Sequence, residues 1–127
     1  MKKQHATETM ALGCCCAVLF VGIASAQNAP DGATLFEQQC VACHTTNQSD
    51  AARMGPTMFK VVGRPAGKVE GFRYSPALAK ADFVWDETRL DSFLTNSKEA
   101  IPGTTMPYRQ ANPETRAAII AYLKELK

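Results

Sequence analysis

The chain contains 127 residues, of which 46% are apolar, and its 14 Lys and Arg stand against 12 Asp and Glu. This balance predicts one small globular domain and excludes an intrinsically disordered chain. A formal charge of +2 without a basic run does not indicate a surface that binds nucleic acid. No apolar stretch reaches the roughly 18–20 residues of a confident membrane span.

The first 26 residues have the pattern of a secretory signal peptide. Lys2 and Lys3 form a basic start, residues 10–23 are apolar, and Ala24-Ser25-Ala26 supplies a small-x-small cleavage site. This pattern predicts cleavage before Gln27 and export to the periplasm. Residues 27–127 then form the functional domain.

Two alternatives to a cleaved signal peptide remain for this leader. An uncleaved membrane anchor is one, although residues 10–23 are few for a span. Lipidation at residues 14–16, which are all Cys, is the other. A lipoprotein cysteine follows the apolar core, whereas these three lie near its start, so a cleaved leader is favoured.

The first helix of the domain is predicted to lead into a cofactor-attachment motif. Asp31 is a good N-cap, and Phe36, Cys40 and Cys43 recur at i, i+4 and i+7 on one helix face. The sequence Cys40-Val41-Ala42-Cys43-His44 has the C-x-x-C-H spacing of c-type haem attachment. Because positions i and i+3 share a face, both thiols can form thioethers with one porphyrin, and His44 can bind its iron from the same side.

Other chemistries of this motif fit the chain less well. A thioredoxin-like dithiol also uses C-x-x-C, but no βαβ pattern surrounds it here. Zinc sites and iron–sulfur clusters need four protein ligands, and residues 27–127 offer three Cys and His in total. A disulfide between the two cysteines would be strained at this spacing. The predicted cofactor is therefore one covalently attached haem c with its iron.

The middle of the domain is predicted to be irregular. Gly55-Pro56 and Gly63-Arg64-Pro65 bound a stretch with one short turn at residues 57–62. Ser75-Pro76 has the pattern of an N-cap and first position of a short helix that runs through Ala81.

Two longer helices are predicted in the last third of the chain. Asp86 can cap a helix that carries Leu90, Phe93 and Leu94 on one face and ends near Asn96. Asn112-Pro113 opens the final helix. No segment alternates as a strand does, so the predicted fold class is all-α.

Three methionines of the domain are candidates for a second ligand to the iron. Met54 follows His44 by only ten residues, and Met58 lies in an apolar turn that favours packing in the core. Met106 lies in a loop stiffened by Pro102-Gly103 and Pro107, which can present a thioether at low entropic cost. The residues alone favour Met106 as the ligand and leave a packing role open.

From about Gly32 to Lys124 the chain resembles the class I cytochromes c, most closely the bacterial cytochrome c2 and mitochondrial cytochrome c branch. The ordered landmarks, of which only the C-x-x-C-H motif is specific alone, are Gly32 with Phe36, Cys40-Val41-Ala42-Cys43-His44, Gly55-Pro56, Gly63-Arg64, Gly71-Phe72-Arg73-Tyr74-Ser75, Trp85, Asn96, Pro102-Gly103-Thr104-Thr105-Met106-Pro107 and Ile120-Ala121-Tyr122-Leu123.

The resemblance implies a small cytochrome c fold, in which several short helices wrap around one covalently bound haem. The first and last helices would cross where Gly32 and Phe36 meet Ile119, Ile120 and Tyr122.

The resemblance also implies a role for each residue of the site. Cys40 and Cys43 would hold the haem, with His44 and Met106 as axial ligands. The carbonyl of Pro56 would accept a hydrogen bond from the imidazole and fix its orientation.

A second group of residues would surround one buried haem propionate. The resemblance implies that this group comprises Arg64, Tyr74 and the indole N–H of Trp85. The charge of the propionate needs such donors because a bare carboxylate is costly in a protein interior.

The implied function is that of a soluble monohaem one-electron carrier in a respiratory or photosynthetic chain. It would not be an enzyme, because two axial ligands close the iron. A monomer without stable membrane insertion would serve a bc1-type complex, a terminal oxidase, a reaction centre or a periplasmic dehydrogenase. The alternatives are a dedicated electron-accepting subunit of a periplasmic dehydrogenase, a haem peroxidase that uses a vacated Met106 position, and a structural or metal-storage module.

The chain departs from the family pattern in two ways. Phe93 stands where the mitochondrial branch has a tyrosine whose hydroxyl reaches the methionine sulfur, so the tuning of this ligand differs. Gln39 and Thr105 occupy positions that are lysine in the family, and Glu99 follows Lys98. Docking to an acidic patch is therefore expected to be weaker, or the partner is a different one.

Overall fold

A computed structural model describes residues 30–127 of the chain. Irregular segments connect its five helices: α1 (Gly32–Gln39), α2 (Pro76–Ala79), α3 (Glu87–Thr95), α4 (Ser97–Ala100) and α5 (Pro113–Glu125). Within these residues the β pairing is a single antiparallel bridge between Pro65 and Val84. The all-α prediction is confirmed, whereas the predicted signal peptide lies outside the described residues. None of the helices in residues 30–127 has the length and apolarity to cross a membrane.

Four helices begin at the polar residues that the sequence indicates. Each of these side chains accepts a hydrogen bond from an amide of the first turn, at 2.9 Å for Asp31, 3.4 Å for Ser75, 2.7 Å for Asp86 and 2.8 Å for Asn112. These bonds satisfy amides that have no partner inside the helix. The predicted starts of α1, α2, α3 and α5 are therefore confirmed.

The first helix is shorter than predicted. α1 ends at Gln39, where the carbonyl of Phe36 accepts from the amides of both Cys40 (2.8 Å) and Val41 (3.1 Å). This shared acceptor widens the last turn and ends the helix. The attachment motif follows as a separate turn, closed by the amide of His44 on the carbonyl of Cys40 at 2.9 Å. The predicted continuation of the helix through the second cysteine is thus wrong.

Two short helices also differ from the prediction. α2 ends at Ala79 instead of Ala81, because the amide of Ala81 bonds to the carbonyl of Leu78 (3.2 Å) in a tighter turn. α4 was not predicted. It spans four residues and its N-cap, Asn96, makes no side-chain capping bond, so neither periodicity nor a cap indicates it.

The first and last helices cross at close range, as predicted. A Cβ atom added to Gly32 would lie 2.0 Å from the carbonyl oxygen of Ala118 in α5, so only glycine permits this approach. One turn further along α1, the ring of Phe36 packs on that of Tyr122 with centroids 5.4 Å apart. The crossing fixes the end of α1, from which the attachment motif departs.

One hydrophobic core joins the crossing to α3 and to the irregular middle of the chain. Its buried side chains are Leu35, Phe36, Val61, Ala66, Trp85, Leu90, Phe93, Leu94, Ile119, Ile120 and Leu123. At its edge, Arg116 of α5 pairs with Asp91 of α3 at 2.7 Å. Helices α1, α3 and α5 therefore form a scaffold on which the irregular segments lie.

Candidate functional site

An apolar cavity of about 390 Å³ lies between this scaffold and the irregular segments. Its walls include the three residues of the C-x-x-C-H motif and side chains from α3 and α5, among them Leu90, Phe93, Ile119 and Leu123. The volume falls within the range of roughly 300–1,000 Å³ that is typical of ligand and cofactor sites. A mainly apolar group fits such walls.

The two cysteines of the motif lie at this cavity as free thiols. Burial, with a smaller contribution from the neighbouring Cys43, raises the pKa of Cys40 to about 11. A redox-active dithiol needs the opposite shift, because the thiolate is its reactive form. The environment of Cys40 therefore argues against the thioredoxin-like alternative.

His44 is held in one orientation by a hydrogen bond to the backbone. The side chain is buried, and its Nδ1–H donates to the carbonyl of Pro56 at 2.8 Å, the contact that the sequence predicts. Burial lowers the pKa of His44, which favours the neutral ring. With the proton on Nδ1, the lone pair of Nε2 is available to a metal.

Gly55 explains why the chain passes so close to this ring. A Cβ atom at this position would lie 2.2 Å from Cε1 of His44, so any other residue would push the imidazole away. The amide of Gly55 is fixed by the carbonyl of Cys43 at 2.8 Å. Gly55-Pro56 therefore acts as a brace for the imidazole.

The structure brings all three candidate methionines to the cavity wall. Two of them belong to the histidine side: Met54 precedes the glycine that packs on the imidazole, and the amide of Met58 bonds to the carbonyl of Thr45 at 2.7 Å. Met106 comes from a separate segment, whose carbonyl oxygen bonds to Ser97 of α4 at 2.5 Å. Of the three, only Met106 reaches the cavity from a segment that is not built around His44.

The three residues predicted to hold a propionate also lie together at this cavity. The guanidinium of Arg64 donates to the carbonyls of Phe59 (2.6 Å) and Thr57 (2.9 Å) and has no carboxylate partner in residues 30–127. Burial lowers its pKa and raises that of Tyr74. The indole N–H of Trp85 bonds to no other residue that the structure describes. A half-buried cation and a free donor at the cavity wall suit an anionic group.

Phe93 lies at the cavity wall and is buried. Its ring packs on Trp85 with centroids 5.1 Å apart. The position thus presents a carbon surface to the cavity, where the mitochondrial branch has a hydroxyl.

Two contacts near the site are not indicated by the sequence. Ser97 is fully buried beside the Met106 segment, and Gln39 accepts a hydrogen bond from the hydroxyl of Tyr108 at 2.7 Å. Ser97 stands in the helix that periodicity does not reveal. Gln39 and Tyr108 lie 69 positions apart, so no local signal links them.

Small all-helical domains with an apolar cavity behind a C-x-x-C-H turn are a class of haem-attaching proteins, and comparisons with known proteins agree. A family model described as Cytochrome c matches residues 29–127. The chain is 36% identical to cytochrome c of Nigella damascena over 103 residues, 80% of this chain and 93% of that protein. It is 39% identical to cytochrome c2 of Rhodopila globiformis over 98 residues, 76% and 92% respectively. With cytochrome c2 of Rhodomicrobium vannielii it shares 40% identity over 87 residues, 68% and 70%.

The chain belongs to the cytochrome c family. The predicted resemblance is therefore confirmed, as is the predicted cofactor, since this family carries covalently attached haem c with iron. The protein is a monohaem electron carrier and not an enzyme. This result removes the peroxidase and the structural or storage module from the alternatives.

Proposed function

We propose that Cys40 and Cys43 hold the haem through thioethers and that His44 and Met106 are its axial ligands. The observation that carries this proposal is the Nδ1–H bond from His44 to Pro56, beside two cysteines that line the same apolar cavity. When bound, haem c supplies an iron that accepts and returns one electron. The carbonyl of Pro56 raises the basicity of the imidazole and keeps the ring from turning.

The same proposal gives Arg64, Tyr74 and Trp85 the role of propionate donors. Arg64 donates two of its N–H groups to backbone carbonyls. These bonds fix the guanidinium, and its positive charge has no carboxylate partner among residues 30–127. A charged donor bond is stronger than a neutral one. These residues would neutralise the buried negative charge and exclude water from it.

We further infer that the protein is a periplasmic carrier whose signal peptide, residues 1–26, is removed on export. Residues 27–127 would form the monohaem domain and act as a monomer without stable membrane insertion. The small-x-small site at residues 24–26 and the two cytochrome c2 relatives support this inference. The partners would be a bc1-type complex, a terminal oxidase, a reaction centre or a periplasmic dehydrogenase, in a respiratory or photosynthetic chain.

The cavity edge carries exposed side chains without charge, where electrons would be exchanged. Met54 lines the cavity and is 79% exposed, and Thr105 and Pro107 beside the other wall are exposed too. An exposed methionine is an adaptable contact, and transient redox encounters bury less than about 1,200 Å². We expect the exchange rate with the partner to change little between low and physiological salt. A steep fall with ionic strength would show instead that charges steer docking.

The exposed residues at the cavity edge support a second candidate function. The uncharged residues Met54, Thr105 and Pro107 at this edge suit a dedicated electron-accepting partner of one periplasmic dehydrogenase better than a shuttle that serves several acidic patches. Co-purification with a larger enzyme would favour this candidate, and isolation as a free monomer would favour the shuttle.

Visible spectra of the protein from the periplasmic fraction test the proposed ligands. We expect sharp c-type bands after dithionite and, in the oxidised form, the weak long-wavelength sulfur-to-iron band. Met106→Leu should abolish this band, whereas the matched change Met54→Leu should keep it. Loss of the band in Met54→Leu, or its persistence in Met106→Leu, would contradict the assignment of Met106.

A further inference from the structure

Ser97 places one hydroxyl among three backbone atoms of the segment that carries Met106. Its Oγ lies 2.5 Å from the carbonyl oxygen of Met106, its closest partner, and 3.0 Å from the carbonyl oxygen of Tyr108. It lies 3.1 Å from the amide nitrogen of Tyr108. A hydroxyl has one proton and two lone pairs, so it donates to the carbonyl of Met106 and accepts from the amide. The amide of Ser97 adds a third bond, to the carbonyl of Tyr108 at 3.1 Å. Ser97 is completely buried, so water cannot replace these bonds.

A second contact holds the same segment to α1. The hydroxyl of Tyr108 donates to Oε1 of Gln39 at 2.7 Å, and Nε2 of Gln110 donates to the same oxygen at 3.1 Å. Gln39 is the last residue of α1 and precedes Cys40. The contact ties residues 106–110, the Met106 segment, to the chain beside the first cysteine.

We propose that Ser97 and Gln39 are positioning residues that fasten the Met106 segment from two sides and thereby set how readily the Met106 thioether leaves the iron. This inference rests on the proposed role of Met106 as an axial ligand. Neither residue touches the thioether; both act on the backbone or neighbours of Met106. α4 therefore serves to present Ser97 to this segment, and the uncharged Gln39 joins the segment to the haem-attachment end of α1.

The physical reason is that a segment without regular structure opens more often when its few hydrogen bonds are removed. Ser97→Ala would remove the hydroxyl partner of the half-buried carbonyl of Met106 and the half-buried amide of Tyr108, which costs more than loss of an exposed bond. Tyr108→Phe keeps the ring and removes only the bond to Gln39. We therefore expect the Met106 segment to open more often in Ser97→Ala than in Tyr108→Phe.

The rate at which cyanide binds to the oxidised holoprotein measures this opening, because cyanide needs the position that Met106 would hold. We expect the rate to rise about tenfold in Ser97→Ala, which corresponds to roughly 1.4 kcal/mol, and about threefold in Tyr108→Phe. Each variant should retain its sulfur-to-iron band before cyanide is added. Ser92→Ala makes the same chemical change at an exposed position of α3 and should bind cyanide at the wild-type rate.

A second control separates local opening from general loss of stability. Asp31→Ala removes the N-cap at the opposite end of α1 from Gln39 and should lower the urea midpoint without accelerating cyanide binding. If it accelerates binding as much as Ser97→Ala does for the same loss of stability, the positioning role is overturned. A wild-type rate in Ser97→Ala overturns it as well. Absence of the sulfur-to-iron band in the wild type would instead overturn the proposed ligation itself.

Discussion

The crossing of α1 and α5 and the apolar cavity are neighbouring regions that differ in what completes them. At the crossing, protein atoms fill the space: Gly32 lies against the carbonyl of Ala118, and the rings of Phe36 and Tyr122 are in contact. At the cavity, apolar walls face each other across about 390 Å³. The crossing is thus completed by side-chain fit, whereas the cavity would be completed by haem c, the cofactor of the family, under the proposed attachment.

The two regions nevertheless share residues. Phe36, Ile119 and Leu123 belong to the core and also line the cavity. A group that binds only the folded chain stabilises the fold, and these shared side chains extend that effect to the crossing. We therefore expect loss of the cofactor to destabilise the packing of α1 on α5. We also expect a disturbance of that packing to alter the walls of the cavity.

The largest effect should come from removing both cysteines. In a variant with Cys40→Ala and Cys43→Ala, the haem cannot be attached covalently, and a domain of about 100 residues loses the tie that supplements its small core. We expect no haem on a denaturing gel and no cooperative thermal transition by circular dichroism. Ala42→Ser, at the exposed position between the cysteines, should keep both. A double variant that melts as the wild type does would show that the crossing folds independently.

Next in size is a change at the crossing itself. Gly32→Ala would place a methyl group 2.0 Å from a backbone oxygen and force the helices apart, a loss of about 2–3 kcal/mol in the free energy of unfolding. Gly63→Ala is the matched change: φ at Gly63 is 87°, but nothing lies within 4 Å of the added atom, so backbone strain alone should cost about 1 kcal/mol. Urea unfolding of the haem-loaded proteins measures both. Equal losses would mean that close packing at Gly32 contributes nothing.

A smaller effect is expected where α5 meets α3, the helix that lines the cavity. Arg116 is buried and bonds to Asp91 as well as to the carbonyls of Gln110 and Ala111. Arg116→Met would leave these acceptors without a donor and cost about 2 kcal/mol. Arg89→Met removes an exposed arginine whose contact with Asp86 is 3.9 Å, and such pairs contribute less than about 1 kcal/mol. Similar urea midpoints for the two variants would contradict this difference.

The smallest expected effect concerns the start of α5. Asn112 accepts from the amides of Glu114 and Thr115 at 2.8 and 3.1 Å, and Asn112→Ala should cost about 1 kcal/mol. Asn112→Asp keeps the acceptor and should be near neutral. Because the cap lies at the far end of α5 from the shared residue Leu123, the visible spectrum should not change in either variant. A spectral change would show that the two regions are coupled along the whole helix.

Much of the site follows from short stretches of sequence. The C-x-x-C-H motif, Gly55-Pro56 and Met106 identify the attachment turn, the brace of the imidazole and the candidate second ligand. The contact from His44 to Pro56 is present as predicted. Its two residues lie only twelve positions apart, so a family pattern over a short span was enough to place it.

Local sequence patterns gave wrong results where the end or the existence of a helix depends on residues outside that helix. Periodicity carried α1 through Cys43, but the carbonyl of Phe36 accepts from two amides and the helix stops at Gln39. α4 is too short for a period, and it is secured by the bonds of Ser97 to the Met106 segment. Neither result is visible in a stretch of sequence that contains only the helix itself.

The sequence by itself determined the helix starts, the attachment motif and the family, because capping bonds reach three residues and the motif spans five. The tertiary structure alone decided that Gly32 meets Ala118 and that Met106 reaches the cavity from a segment independent of His44. It also decided that Gln39 meets Tyr108 across 69 positions. Such contacts depend on how the helices pack around the cavity, and packing is a property of the whole chain that no local pattern of residues encodes.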